Sequence, residues 1–193
     1  MNKKILFLGY GEGKTCLISV LRGQGCVVDH TSERLGPPED YRGYDLMVSF
    51  GFRYIIPASF LEGYAGDILN LHISYLPYNR GAHPNFWAFH DATPHGVTIH
   101  LIDSGVDTGP ILYQERVNFS DERTFTHTYQ KLCAAIEALF VRHIREIIAG
   151  TYVPKPQQGE GTSHSVRDLP AFIGGWDADI RQTMNALGRN PAV

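Results

Sequence analysis

The chain has 193 residues, a length expected of one domain of ~100–200 residues, and 43% of them are hydrophobic against 19% charged. That balance excludes an intrinsically disordered chain. Its 17 basic and 20 acidic residues leave a net charge of −3 with His neutral, so there is no electrostatic reason to expect a nucleic-acid partner, and no apolar run approaches the ~18 residues of a membrane span.

An apolar run at 5–8, beside a cluster of glycines, predicts a buried first strand. Residues 12–22 read as a helix with Leu17, Ile18 and Leu21 on one side, ended by Gly23 and Gly25. Strands are predicted at 26–28, 45–50 and 67–73, with a short helix at 57–62 that has Pro57 in its first turn. This alternation predicts an α/β domain around a mainly parallel sheet. Residues 74–84 read as an ordered loop, 85–91 as a short helix, and 96–102 with 111–117 as two strands around a Gly-rich turn, in the manner of a hairpin. Leu132, Ile136, Leu139, Phe140, Ile144, Ile147 and Ile148 predict one long helix over 124–149, stopped by Gly150. Beyond Pro154, Pro156, Gly159 and Gly161, a last helix is expected near 176–187.

The cysteines Cys16, Cys26 and Cys133 are odd in number and include no Cys-x-x-Cys pair. Reduced thiols in a cytoplasmic protein are the simplest reading.

Gly9-Tyr10-Gly11-Glu12-Gly13-Lys14-Thr15 follows the first strand, where free backbone N–H groups can bind an anion. It misses the phosphate-loop spacing by one residue, and it has Lys14 where a dinucleotide fingerprint needs glycine. Two readings stand level: a tight turn, or a substrate contact through Gly9 and Gly11.

The segment from 70 to 110 carries the chemistry. Residues two apart on a strand face the same side, so Asn70 and His72 point together while Leu71 and Ile73 enter the opposite apolar layer. An amide and an imidazole at a strand's carboxyl end suit the crevice where open α/β sheets bind ligands. Asn70 can donate to a developing oxyanion. His72 can exchange a proton near neutrality. Asp107, bracketed by Gly105 and Gly109, can orient His72. Such a trio serves nucleophilic attack on a carbonyl. A serine hydrolase is not indicated, since no Gly-x-Ser-x-Gly elbow is present.

Asn70-Leu71-His72-Ile73-Ser74-Tyr75-Leu76-Pro77, then Gly96-Val97-Thr98 and Asp103-Ser104-Gly105-Val106-Asp107-Thr108-Gly109-Pro110, resemble the formyltransferases that use 10-formyltetrahydrofolate. The resemblance implies a Rossmann-like α/β formyltransferase fold, with a catalytic domain at 1–153 and an extension at 154–193 packed on it. It implies that the catalytic Asn, His and Asp fall on Asn70, His72 and Asp107. The amine attacks the formyl carbon, Asn70 and protonated His72 stabilise the oxyanion, and Asp107 assists the proton movement. The co-substrate 10-formyltetrahydrofolate is expected against Phe52, Arg53, Tyr54, Ile55, Ile56 and Asp103. No metal is required, and His83, His90, His95 and His100 lack a recognised ligand spacing.

Within the family, Glu12-Gly13-Lys14 replaces the Ser-Asn of glycinamide ribonucleotide enzymes. Methionyl-tRNA enzymes carry a further C-terminal domain, which the chain ends too early to form. Gly161-Thr162-Ser163-His164 is similar to a Gly-Thr-x-His segment of sugar N-formyltransferases. The expected acceptor is therefore a small amine, a nucleotide-linked amino sugar first, with no nucleic acid or membrane partner and a homodimer left open. Gly9, Gly11, Ser74, Tyr78, Asn79, Arg80 and Trp87 are the candidate substrate contacts, and the loop over 78–87 can close on the substrate, with a loop pinned by buried aromatics an equal reading for Phe86 and Trp87. The alternatives are a glycinamide ribonucleotide-type enzyme, a non-catalytic folate or nucleotide binder, and a hydrolase of 10-formyltetrahydrofolate. The hydrolase ranks lower because such enzymes carry an N-terminal regulatory domain.

Overall fold

In β1 (Lys4–Gly9) residues 5–8 are all buried, as they must be in a strand covered on both faces. Ile5 and Phe7 enter one apolar layer with α1 (Leu17–Gly23) and α4 (Phe125–Arg142). Leu6 and Leu8 enter the other, with Met47 of β3 (Leu46–Phe50) and Phe60 of α2 (Ala58–Gly63). The computed structural model, which describes residues 2–172 and 174–189, is thus a sheet between two helical layers.

The main sheet has six strands in the order β2-β1-β3-β4-β6-β7, where β2 is Val27–Thr31, β4 Asp67–His72, β6 Gly96–Leu101 and β7 Ile111–Arg116. The first four run parallel, while β6 is antiparallel to β4 and forms a hairpin with β7, as its sequence predicts. Register along β4 decides what each residue does. Leu69 and Leu71 enter the layer of α1 and α4, and Ile68 enters the opposite one. Asn70 and His72 share the Ile68 face at the strand's carboxyl end.

The larger departures from expectation have visible causes. The first helix begins at Leu17 rather than at residue 12, because the Lys14 and Thr15 N–H groups both bond to the Gly11 carbonyl and make residues 11–15 a turn. The long helix is interrupted at His143, whose φ of −105° and ψ of 11° separate α4 from α5 (Ile144–Ala149). The His143 ring stacks on Tyr113 at 3.8 Å, and the apolar stripe continues across the break through Ile144 and Ile147. The last helix, α6 (Ile180–Ala186), starts after Asp179, whose carboxylate accepts from the Gln182 N–H at 2.9 Å. Inside the expected loop lies β5 (Arg80–Gly81), paired in parallel with β8 (Ser163–His164).

The described part of the 154–193 stretch is tied to the rest at many points, backbone pairing and apolar packing among them. Lys155 bridges to Ile111, β8 lies on β5, and α6 packs Ile180 and Met184 against Phe86 and Phe89 of α3 (Pro84–His90) and Phe125 of α4. Residues 173 and 190–193 of that stretch lie outside the described residues. Among the described residues no helix is long and apolar enough to cross a membrane.

Candidate active site

Strands β1, β3 and β4 end at the same edge of the sheet, and the loops that follow β3 and β6 rise on either side of it. Between them lies a cleft of about 690 Å3, with Asn70, His72 and Asp107 among its lining. Two glycines shape this edge. Gly9, at φ +102°, lets β1 turn so close to β3 that an added Cβ would meet the Phe50 carbonyl at 2.3 Å. A Cβ on Gly109 would lie 1.8 Å from the Leu101 carbonyl, so the loop that carries Asp107 folds back on β6 only with glycine there. Asp107 itself takes φ +52°, left-handed backbone that costs about 1–3 kcal/mol and persists only where its surroundings hold it.

Its surroundings do. Asp107 Oδ1 accepts from Asn70 Nδ2 at 3.0 Å, and Oδ2 accepts from the Gly81 N–H at 2.8 Å. The Ser49 hydroxyl donates to Asn70 Oδ1 at 3.0 Å, which fixes which way the amide faces. His72 Nε2 lies 3.1 Å from the Asn79 carbonyl. A carbonyl only accepts, so the proton is on Nε2 and His72 Nδ1 is left facing Asp107 Oδ2 at 3.6 Å. His100 stands across the strand pair from Asn70. Its Nδ1 lies 2.8 Å from the Leu101 carbonyl, and its Nε2 is 3.3 Å from Asn70 Nδ2 and 3.4 Å from Asp107 Oδ1.

These contacts set the charges. Burial would raise the Asp107 carboxyl, but His72, His100 and the Gly81 N–H together hold it well below the usual carboxylate range. Burial pushes His72 below the ordinary histidine range, with Asp107 pulling the other way. The resting pair is therefore a carboxylate beside a neutral imidazole whose Nδ1 lone pair can take a proton. Once charged, that imidazole is flanked by two acceptors, Asp107 Oδ2 and the Asn79 carbonyl.

Phe52, Arg53, Tyr54, Ile55 and Ile56 form one wall of the cleft, and Asp103 borders it from the facing loop. Three large side chains at the rim are exposed: Ile55 by 76%, Val106 by 47% and Val166 by 69%. An apolar rim around a polar floor is the usual form of a site for a planar organic ligand.

The residues expected to touch substrate are placed differently. Gly9 and Gly11 lie outside the lining, in the turn beside the His30 ring. Tyr78 and Arg80 are half-buried outside the lining, and Arg80 donates to Gln157 Oε1 at 2.6 Å. Ser74, Asn79 and Trp87 are buried: Ser74 donates to the Tyr78 carbonyl, Asn79 bonds Thr93 and Thr162, and Trp87 stacks on His164 at 3.7 Å. The loop over 78–87 is thus pinned rather than open, and only Gly81, Ala82 and Pro84 of it reach the cleft.

Several residues at the site escaped the sequence. His100 was visible only as one of four neighbouring histidines, although the β4–β6 register puts it opposite Asn70. Tyr10 and Tyr129, whose hydroxyls lie 2.5 Å apart at the cleft's side, come from β1's end and α4, and no local pattern joins them. Among the described residues no three His, Cys, Asp or Glu side chains converge as a metal-binding group.

The family model described as formyl transferase matches residues 39–144. A methionyl-tRNA formyltransferase of Thermodesulfovibrio yellowstonii is 38% identical over 120 residues, 62% of this chain and 38% of that protein. A dTDP-4-amino-4,6-dideoxyglucose formyltransferase of Mycobacterium tuberculosis is 32% identical over 126 residues, 65% of this chain and 53% of that one. The chain thus spans about half or less of the length of such relatives. The crystal structure of the formyltransferase PseJ from Anoxybacillus kamchatkensis, in complex with UDP-4,6-dideoxy-4-formamido-L-AltNAc and tetrahydrofolate, superposes with a TM-score of 0.85 at 36% identity, over 93% of this chain and 97% of that one. With the family model covering more than half of its residues, and the Asn-His-Asp cluster at the mouth of its sheet, the chain belongs to the formyl transferase family.

Proposed function

We propose that the protein transfers the formyl group of 10-formyltetrahydrofolate to the amine of a nucleotide-linked amino sugar. The observation that carries this reading is the convergence of Asn70, His72 and Asp107, 37 residues apart at their extremes, on one cleft floor. The likeness to PseJ, whose bound molecules are tetrahydrofolate and a formamido sugar on UDP, supports the donor and the acceptor class.

The chemistry follows from the neutral imidazole and the charged carboxylate. The acceptor nitrogen forms a bond to the formyl carbon, and the carbonyl electron pair moves to oxygen, where Asn70 Nδ2 donates to it. The nitrogen's proton passes to His72 Nδ1. The imidazolium that results lies against Asp107 Oδ2 and the Asn79 carbonyl, and its charge offsets that of the oxyanion. Collapse reforms the carbonyl, breaks the bond to the folate N10, and returns the proton to that nitrogen. The folate's ring system would lie against the wall of residues 52–56, between Ile55 and Val106.

The test is tetrahydrofolate release from 10-formyltetrahydrofolate with no amine, with UDP-4-amino-4,6-dideoxy-L-AltNAc, with dTDP-4-amino-4,6-dideoxyglucose and with methionyl-tRNA. Release that depends on a nucleotide-linked amino sugar is the expected result. Release that needs no amine, or that methionyl-tRNA alone elicits, rejects the reading.

A further inference from the structure

Two of the atoms that orient His72 and Asp107 are backbone atoms, and they lie in a segment with little structure of its own. The carbonyl opposite His72 Nε2 belongs to Asn79, and the N–H on Asp107 Oδ2 belongs to Gly81. Asn79 and Asp107 both have left-handed backbone, at φ +57° and +52°, which is uncommon outside glycine although Asn and Asp tolerate it better than most residues. Contacts from outside these segments hold them in place.

Residues 155–164 cross both. Gln157 places its amide between them: Nε2 donates to the Asp107 carbonyl and to the Gly109 carbonyl, each at 2.8 Å, and Oε1 accepts from the Arg80 guanidinium at 2.6 and 3.1 Å. Thr162 Oγ1 accepts from the Asn79 N–H at 2.8 Å and donates to Asn79 Oδ1 at 3.2 Å. The Arg80 and Ala82 N–H groups bond to the Thr162 and His164 carbonyls. Both ends of the crossing are moored. Lys155 exchanges two backbone bonds with Ile111, each 2.8 Å. The His164 ring lies flat on Trp87 and its Nε2 is 2.7 Å from Asp91 Oδ2.

We propose that residues 155–164 are a positioning strap for the transfer site, with Gln157 and Thr162 as its two clamps on the Asp107 loop and on the Asn79–Gly81 segment. The proposal rests on the catalytic reading of Asn70, His72 and Asp107. Gln157 and Thr162 touch no reacting atom; they act through backbone atoms that meet His72 and Asp107. The Gly-Thr-Ser-His run at 161–164 is accounted for by this geometry, and so is Trp87, which anchors the strap rather than the substrate.

The experiment compares Thr162→Val, which keeps the shape and loses the hydroxyl, with Thr162→Ser, which keeps the hydroxyl, and adds Gln157→Leu and His72→Ala. Steady-state kinetics use 10-formyltetrahydrofolate and UDP-4-amino-4,6-dideoxy-L-AltNAc, and hydrogen–deuterium exchange is followed at 79–82, at 104–109 and at the strands 46–50 and 67–72. Thr162→Val and Gln157→Leu should lower kcat at least ~10-fold with KM within about twofold, and Thr162→Ser should stay within about twofold of the wild type. Exchange should quicken at both 79–82 and 104–109 in Thr162→Val, although Thr162 touches only the first of these, with the two strands unchanged. Unaltered kcat in both variants, or quickening confined to 79–82, overturns the strap even where His72→Ala is inactive. If His72→Ala is fully active or the amine is not used, the catalytic reading fails instead, and the exchange pattern, which needs no turnover, still decides whether the strap exists.

Discussion

Leu69 and Leu71 face the helices α1 and α4 from one side of β4, and Asn70 and His72 face the cleft from the other. The four residues alternate along one strand, yet the two faces are held by different means. The apolar face is sealed by close packing with side chains of the nearby layer, such as Val97, Ile99 and Ile136. The polar face is held by single hydrogen bonds, donated by the Ser49 hydroxyl and accepted by the Asp107 carboxylate and the Asn79 carbonyl, groups that arrive from other segments. A strand with a period of two can thus separate stability from chemistry by one residue. Changes on the first face should cost folding energy, and changes on the second should cost rate.

The largest expected effect tests the polar face. His72→Ala and Asp107→Asn should each lower the rate of formyl transfer by at least ~100-fold, with thermal midpoints closer to wild type than that of Leu71→Ala. Near-full turnover in either variant would remove the distinction between the faces. Leu71→Ala tests the other side: a sealed leucine lost from this layer should destabilise by about 2–5 kcal/mol in denaturant titration, with kcat per folded molecule unchanged.

Acid sensitivity sharpens the comparison at a site away from the cleft. The His95 ring packs 4.3 Å from that of Phe89 and 5.0 Å from that of Phe119, its Nδ1 has no hydrogen-bond partner among the described residues, and burial lowers its pKa to about 4. The unfolded chain takes up this proton near 6.5 and the folded chain only near 4. The stabilisation is therefore present above ~6.5 and lost as pH falls from there toward 4, about 2 kcal/mol between pH 7 and 4.5. His72, also lowered by burial, adds in the same direction. Chemical denaturation of His95→Leu across that range should show a shallower loss than the wild type; an equal slope would place the acid sensitivity elsewhere. The smallest effect concerns the rim. Ile55 is 76% exposed at the cleft, so Ile55→Ala should leave stability unchanged and weaken folinic acid binding by roughly 3- to 10-fold in calorimetry, the scale of a partly buried side chain.

Much of this was legible along the chain, and what was not has physical causes. The central strands show as short apolar runs, and the period of two in Asn70-Leu71-His72 assigns both faces of β4 before any contact is known. Asp107 is marked by the glycines around it. The false helix start at residue 12 arose because Gly11 can close a turn as readily as open a helix. The break at His143 lies inside an unbroken apolar stripe, since the ring's stack on Tyr113 is a long-range contact. The β5–β8 pair is two residues long on each side and joins positions over 80 apart, beyond the reach of any local pattern. For the same reason the sequence offers Ser74 and Asn79 as substrate contacts: their polar groups are bonded by Tyr78, Thr93 and Thr162, which only the folded chain brings near.

The central claim is that the polar face of β4 moves a formyl group between two nitrogens. It is tested most directly by supplying 10-formyltetrahydrofolate labelled with 13C at the formyl carbon, together with UDP-4-amino-4,6-dideoxy-L-AltNAc, and following the label by NMR in the wild type and in Asp107→Asn. The account predicts that the wild type carries the label into the sugar's new amide, and that Asp107→Asn leaves it on the folate over the same interval. Label emerging from the wild type as formate, or passing to the sugar equally fast in both proteins, would contradict it.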